Sequence, residues 1–593
     1  MEGQRFDWAS RHWRWWVLLI WAAAAAYFIY QRWGAINWFA LGDTDDNLRM
    51  AQVRALLQGQ DWYDLRQYKL DPPFGADVHW SRLVDLPIAG IKLALKPLLG
   101  GKTAETVAVA VAPLLPMLVA MGALAVAARR LIGRWAFLLA LILVLCGASV
   151  RGMWMPLRID HHGWQLALLA VVVAGLVDTK ATRGGVTVGL ATALSLAIGL
   201  EMLLYLALAG ALIGLMWLRD RGQAPRLGSY GISLGGGCAL GFLLFASYAN
   251  RAPVCDALSP VWLSVMVGAG ALAVVLAWMS PQSLAARLAL AAGAAALTAG
   301  FYALAWPHCL GRLEGASPEL ERLWLSKVRE AMPIYKHSWR TMVTVATLPA
   351  LGLIGYGLML WRSRRDEAGL IRWAAVAAPA LLAVLLLLWQ TRAGPAAQLL
   401  AVPGAAGLGW FLIGWFRSSR FLLVRIGGPF LALLVVSGMA GHYAMRLVPA
   451  DKKTDFARRV DEANRKCPTL PALRPIAQLP KGNVLTHVDL GPRLITVTHH
   501  NAIAGPYHRN DDDIIAIMRA FRGSAEEARR TVAARKIDYV LVCPNLSETT
   551  IYSAEAPNGF YRQLVKGKVP AWLEPIPLPK GSPYRMWRVR RGS

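Results

Sequence analysis

The chain reads as an α-helical polytopic membrane protein that ends in a small α/β domain, and three observations predict this. Of its 593 residues, 56% are hydrophobic and only 17% charged, against about 25% charged in a soluble protein, and the mean hydropathy is +0.40. Apolar runs of bilayer-crossing length recur from Trp15 to about Ala440; they are rich in Ala, Leu, Val and Gly, which suits helices rather than barrel strands. Beyond them the composition changes, and the short β-like runs "NVLTHV" and "DYVLVC" flank a helix-like "DDDIIAIMRAFRGSAEEARRTVAARK".

The formal net charge of +27 does not imply a nucleic-acid partner. Much of it sits in short links between apolar runs, "ARRLIGR", "RDRGQAPR", "RSRRDEAGLIR" and "FRSSR", as the positive-inside rule requires. Arg5, Arg11 and Arg14 precede the first run and place the N-terminus in the cytoplasm. That run is long and lacks a clear small-residue cleavage site, so it reads as a span rather than a cleaved signal. Alternating from there, about thirteen spans are expected, near 15–33, 104–128, 135–150, 164–178, 186–199, 202–218, 229–247, 261–278, 286–305, 342–361, 372–389, 397–415 and 420–440. The run "DLPIAGIKLALKPLLG" (85–100) is of marginal length and carries two Lys, and reads as an amphipathic helix on the membrane surface.

On this topology 34–103, 151–163, 306–341 and the tail share the outer face, with residues 1–443 forming a transmembrane domain and 444–593 an outer α/β domain. Cys146 and Cys238 lie within spans. Cys255, Cys309, Cys467 and Cys543 face outward, where an oxidising compartment allows the disulfides 255–309 and 467–543, with connectivity left open.

The outer segments carry the chemistry. "LGDTDDNLRM" sets Asp43, Asp45 and Asp46 just outside a span, followed by Arg49. Three carboxylates so close repel one another unless a cation or Arg compensates; the alternative is an acidic turn capping a helix. "RIDHHGWQLALLA" brings Asp160, His161 and His162 to the edge of the next span. Asp160 and His162, one residue apart, can face the same way in an extended segment while His161 points away, to a supporting or packing role. Such a set of O and N donors accepts Mn²⁺ or Zn²⁺, and Mg²⁺ less readily. "WLSKVREAMPIY" adds Glu330.

In this order the chain resembles the catalytic subunits of oligosaccharyltransferases of archaeal and bacterial type, within the GT-C superfamily of membrane glycosyltransferases that use polyprenyl-linked sugar donors. Asp43 with Arg49 six residues on, Asp160-His161-His162, and "SKVRE" ending at Glu330 carry the resemblance. It implies a fold of thirteen transmembrane helices with an outer C-terminal domain, a divalent cation held by Asp43, Asp160 and His162, and Asp43 with Glu330 acting at the acceptor. It also implies a bacterial cytoplasmic membrane with the site facing the periplasm. Arg392 in "WQTRAGPAAQ" is then a donor-phosphate partner, the alternative being an Arg that snorkels at the interface. His79 and Arg82, with Trp80 and Asp85 in "PPFGADVHWSRLVDLP", would line the donor or acceptor path, or merely pack the loop. Glu201, in "AIGLEMLLYL", either supports the site from behind its ligands or is a turn residue, the turn being favoured.

One departure matters. Sequon-reading members carry a Trp-Trp-Asp motif, whereas "NVLTHVDLGPRLITVTHHNAIAGPYHRN" retains Asp489 without either Trp. His499, His500 and His508 with Tyr507 suit either an acceptor surface or a solvated loop. The expected activity is therefore metal-dependent, inverting transfer from a polyprenyl-phosphate or -diphosphate donor to a glycan, lipid or protein acceptor. The alternatives are a protein glycosyltransferase that reads no sequon, and a flippase for lipid-linked glycans; a flippase would carry its ionisable groups near mid-membrane.

Overall fold

A computed structural model describes residues 11–449 and 452–590; Arg5 lies outside them. Among the described residues nine helices are long and apolar enough to cross a membrane, and the pair Leu422–Val436 and Met439–Leu447, bent by 80°, is a tenth candidate. Three shorter apolar helices, Ala136–Cys146, His162–Leu176 and Leu203–Arg219, pack into the same core. The protein is a multi-pass membrane protein. The stretch read as a surface helix is the first part of Asp85–Val111, which Gly100 breaks at φ 74° before the chain continues into Leu114–Leu131; glycine takes that left-handed backbone without a Cβ clash. Small residues let the helices close up: a Cβ on Gly355 would lie 2.0 Å from the Gly404 carbonyl oxygen, the kind of backbone approach on which helix association in lipid depends.

The tail forms a five-stranded sheet in the order β2-β1-β3-β5-β4, from β1 (Asn483–Leu485), β2 (Asn501–Ala502), β3 (Tyr539–Val542), β4 (Leu573–Ile576) and β5 (Arg585–Val589). β1 runs parallel to β2 and β3, whereas β5 pairs antiparallel with β3 and β4. Alternation along β3 sends Val540 and Val542 to one face and Tyr539 and Leu541 to the other. The first face packs with Leu320 of the long loop 306–341, the third loop of the sequence reading. The second packs with Leu48, Leu70 and Trp80 of the first, and Leu70 forms a parallel bridge with Ala502 at the sheet edge. Both long loops thus share core with the tail domain. Disulfides join Cys255 to Cys309 and Cys467 to Cys543, with Cα atoms 5.5 and 6.4 Å apart.

Candidate active site

A cavity of about 1040 Å³ opens between the helix ends, the two long loops and the tail domain. Asp43, Asp45, Arg158, His161, His162, Glu201, Glu330, Arg392 and Asp489 all line it, contributed by six separate stretches of chain.

Asp43 caps the helix Thr44–Leu57: its Oδ1 accepts from the Thr44 backbone N–H at 2.6 Å. The capping alternative and the site reading therefore coincide, since the second carboxylate oxygen is left to face Arg158. Phe39 (φ 46°) and Leu157 (φ 78°) precede the two acidic stretches in left-handed backbone, conformations that cost non-glycine residues about 1–3 kcal/mol and gather at functional sites.

Arg158 organises the acids. Its Nη1 contacts Asp43 and lies 3.3 Å from Asp46 Oδ2, and its Nη2 lies 3.1 Å from Asp160 Oδ2. Burial opposes its charge, but Asp46, Asp160 and Asp43 hold the guanidinium strongly protonated. Asp46 is almost fully enclosed, and its Oδ1 accepts from the Asp160 backbone N–H at 3.1 Å. Burial raises its carboxyl to about 7, against the pull of Arg158. Burial also raises Asp45, and the charges of Asp160 and Asp43 add to the effect.

His161 does not point away as the alternation suggests. The helix His162–Leu176 begins immediately after it, and its ring is buried between two carboxylates: Nδ1 lies 2.6 Å from Asp160 Oδ1 and Nε2 lies 2.7 Å from Glu201 Oε1. Burial disfavours the charged ring, yet Asp160 and Glu201 lift it to about 10, so it is an imidazolium. Glu201 is accordingly more than a turn residue. Against burial, His161 holds it well below the usual carboxylate range, and Gln165 Nε2 donates to its other oxygen at 2.5 Å. His162 Nδ1 contacts Asp160 Oδ2. Ligand atoms of Asp160, His161 and His162 lie within 4.8 Å of one another, but both ring nitrogens of His161 are taken by carboxylates, which leaves Asp160 and His162 as donors, with Asp43 joined to them through Arg158.

Glu330 and Arg392 meet in an ion pair of 2.5 Å on the cavity rim. Asp489 also lines the cavity and is exposed to its open space; enclosure by the cavity walls, and then the charge of Asp43, raise its carboxyl to about 6. Its loop is pinned by Glu548, which accepts from the backbone N–H groups of Val488 at 3.0 Å and Asp489 at 2.9 Å.

Four expectations change. Arg82 does not reach the donor path: it is fully buried, donating to Asp85, to the Gln52 carbonyl and to the Asp64 carbonyl. Arg49 is likewise buried, donating to Asp85 at 2.9 Å with its guanidinium 4.5 Å from the Trp80 ring centre, and acts as a strut. His499 and His500 are no acceptor surface, because their Nε2 atoms donate to the carbonyls of Leu479 and Ile476, both at 2.8 Å, away from the cavity. His79 lines the cavity, but beside His508 and Asp256 rather than Arg82.

No family model and no curated protein sequence matches the chain. Solved structures do resemble it. The archaeal oligosaccharyltransferase AglB from Archaeoglobus fulgidus, in complex with an inhibitory peptide and a dolichol-phosphate, superposes with a TM-score of 0.66 at 13% identity, over 96% of this chain and 73% of that one. The Archaeoglobus fulgidus oligosaccharyltransferase tethered to an acceptor peptide containing the NVT sequon gives 0.64 at 14% identity, over 99% and 75%. Its complex with Zn and sulfate gives 0.57 at 14%, over 88% and 67%. The chain shares the fold of these oligosaccharyltransferase structures.

Proposed function

From this shared fold, we propose that the chain is a GT-C glycosyltransferase that moves a sugar or glycan from a polyprenyl-phosphate or -diphosphate carrier to an acceptor on the periplasmic face of a bacterial cytoplasmic membrane. The observation that carries the reading is the convergence of Asp43, His162 and the Glu330–Arg392 pair on one cavity at the ends of apolar helices, with Asp160 held behind His162 and Arg158. The dolichol-phosphate, acceptor peptide and Zn named with the similar structures support a lipid-linked donor and a metal-assisted reaction.

The donor set suits a divalent cation. Carboxylates of Asp43 and Asp160 with the imidazole of His162 are ligands that Mn²⁺ or Zn²⁺ accepts, and Mg²⁺ less readily; three carboxylates already converge there on the cationic Arg158. Such an ion, when bound, supplies Lewis-acid neutralisation of the leaving phosphate. The guanidinium of Arg392 grips phosphate oxygens once it parts from Glu330. The bond from the sugar carbon to the phosphate oxygen breaks as the acceptor nucleophile attacks from the opposite face. The nucleophile's proton passes to the carboxylate of Glu330 or Asp43. One inverting displacement needs no nucleophilic carboxylate. Asp489 stands on the acceptor side without a Trp pair, which favours a glycan or lipid acceptor over a sequon peptide; a protein read without a sequon is the second choice.

The test is transfer of a labelled sugar from a polyprenyl-linked donor by purified protein, comparing Asp43→Ala, Asp160→Ala and Glu330→Ala with the parent. Loss in folded variants supports the reading. Retained transfer in all three defeats it.

A further inference from the structure

On the cavity wall, three segments distant in sequence bring two imidazoles and a carboxylate together. His79 comes from the first long loop, Asp256 follows the disulfide-bonded Cys255, and His508 belongs to the tail domain. One ligating atom from each lies within 4.8 Å of the other two. The rings of His79 and His508 have centroids 4.7 Å apart, too close for both to carry charge comfortably. The Nδ1 of His79 is enclosed without any hydrogen-bond partner, so with the ring proton on Nε2 its lone pair is left unused. An enclosed, unpaired polar atom costs about 1–3 kcal/mol unless something takes that lone pair.

Asp256 is ionised, pulled down against burial by its bonds from His508 and Arg509. Arg509 grips it in two places, Nε to Oδ2 at 2.8 Å and Nη2 to Oδ1 at 2.6 Å. That fork fixes the carboxylate plane as outer partners of metal ligands do. His508 Nε2 faces Asp256 Oδ2 at 2.6 Å. All three side chains line the cavity, so a fourth coordination position stays open to it, as at zinc sites with three protein ligands.

We propose that His79, Asp256 and His508 form a second metal site, for Zn²⁺ or a similar borderline cation, separate from the Asp43–Asp160–His162 set. To hold the ion, His508 presents the lone pair of Nε2 with the ring proton carried on Nδ1, so that the ring stays a neutral imidazole. The ion also ties the tail domain to both the first loop and the loop bearing Cys255. This assignment stands independently of the transfer reaction.

The experiment measures Zn²⁺ bound per chain in the full-length detergent-solubilised protein after gel filtration. In the background Asp160→Ala/His162→Ala, which removes the first donor set, one Zn²⁺ is expected, and adding His508→Gln abolishes it. No Zn²⁺ in the background, or one retained after His508→Gln, overturns the site. If the background does not fold, His508→Gln in the otherwise unaltered chain lowers the bound Zn²⁺ by one; an unchanged count overturns it. Asp43→Ala activity tests the transfer reading separately.

Discussion

The first and third long loops flank one cavity and are built in opposite ways. The first is cemented. Arg49, Arg82 and Asp85 form an ion network fully closed to solvent, and Leu48, Leu70 and Trp80 enter the core of the tail domain. Arg493 Nη1 also donates to Asn47 Oδ1 at 3.1 Å, and Lys69 Nζ to the Ile495 carbonyl at 3.0 Å. The third loop is a six-residue helix and short 3₁₀ turns. Its Glu330 is 61% exposed at the side chain and pairs with Arg392 of the next link, where Thr391 also donates to the Met332 carbonyl at 2.8 Å. One loop presents its carboxylate at fixed coordinates, and the other offers a carboxylate that can travel. A site that must first grip a charged donor and then admit an acceptor needs both.

This division can be broken at several points. Asp43→Ala removes the fixed carboxylate, and labelled-sugar transfer should fall by about 10³–10⁴-fold, the upper part of the range for a positioned acid or base. Asp85→Ala leaves Arg49 and Arg82 buried without a counter-charge; a loss of about 3–5 kcal/mol is expected, read as a lower thermal midpoint in detergent, and an unchanged midpoint would mean the first loop is not cemented by that network. Glu330→Gln should cost about 10²-fold in transfer while leaving the thermal midpoint in place, since the side chain is largely solvated.

A smaller effect concerns the support of Asp489. Burial, and then the charge of Asp489, raise the Glu548 carboxyl from 4.5 to about 8. The native state therefore holds a proton that the unfolded chain has released. The associated stability is complete below pH 4.5 and is lost as pH rises through 8. Thermal midpoints should thus decline between about pH 4.5 and 8, and Glu548→Gln should flatten that decline. Smallest of all, Arg519→Ala removes a solvent-exposed pair with Glu319 on the third loop and should shift stability by less than about 1 kcal/mol.

What could be read along the chain depended on how local the physics was. The membrane helices follow from composition within a window of about twenty residues. Asp43 and Asp160 stand out because charge at a membrane boundary is costly wherever it occurs. Arg158 carried a usable signal, since it lies two residues before Asp160 and so shares its face in an extended stretch, and four acids nearby needed a cation. Glu201 drew notice only as an acid at an outer turn: its partner His161 is 40 residues away, and only the fold brings them together. His499 and His500 misled because a histidine pair looks reactive in any sequence, whereas carbonyls of the 476–479 turn absorb both. Arg82 misled for the converse reason, since its apparent availability beside Asp85 hid a closed ion network.

The sheet flanked by both long loops bears on protein engineering. Although the tail begins after the last membrane helix, it is no detachable module, because one face of its sheet is finished by residues 48–80 and the other by Leu320. A chimera that exchanges only residues 452–590 with a relative inherits two mismatched half-cores. Any graft intended to alter acceptor choice has to carry the first loop with it.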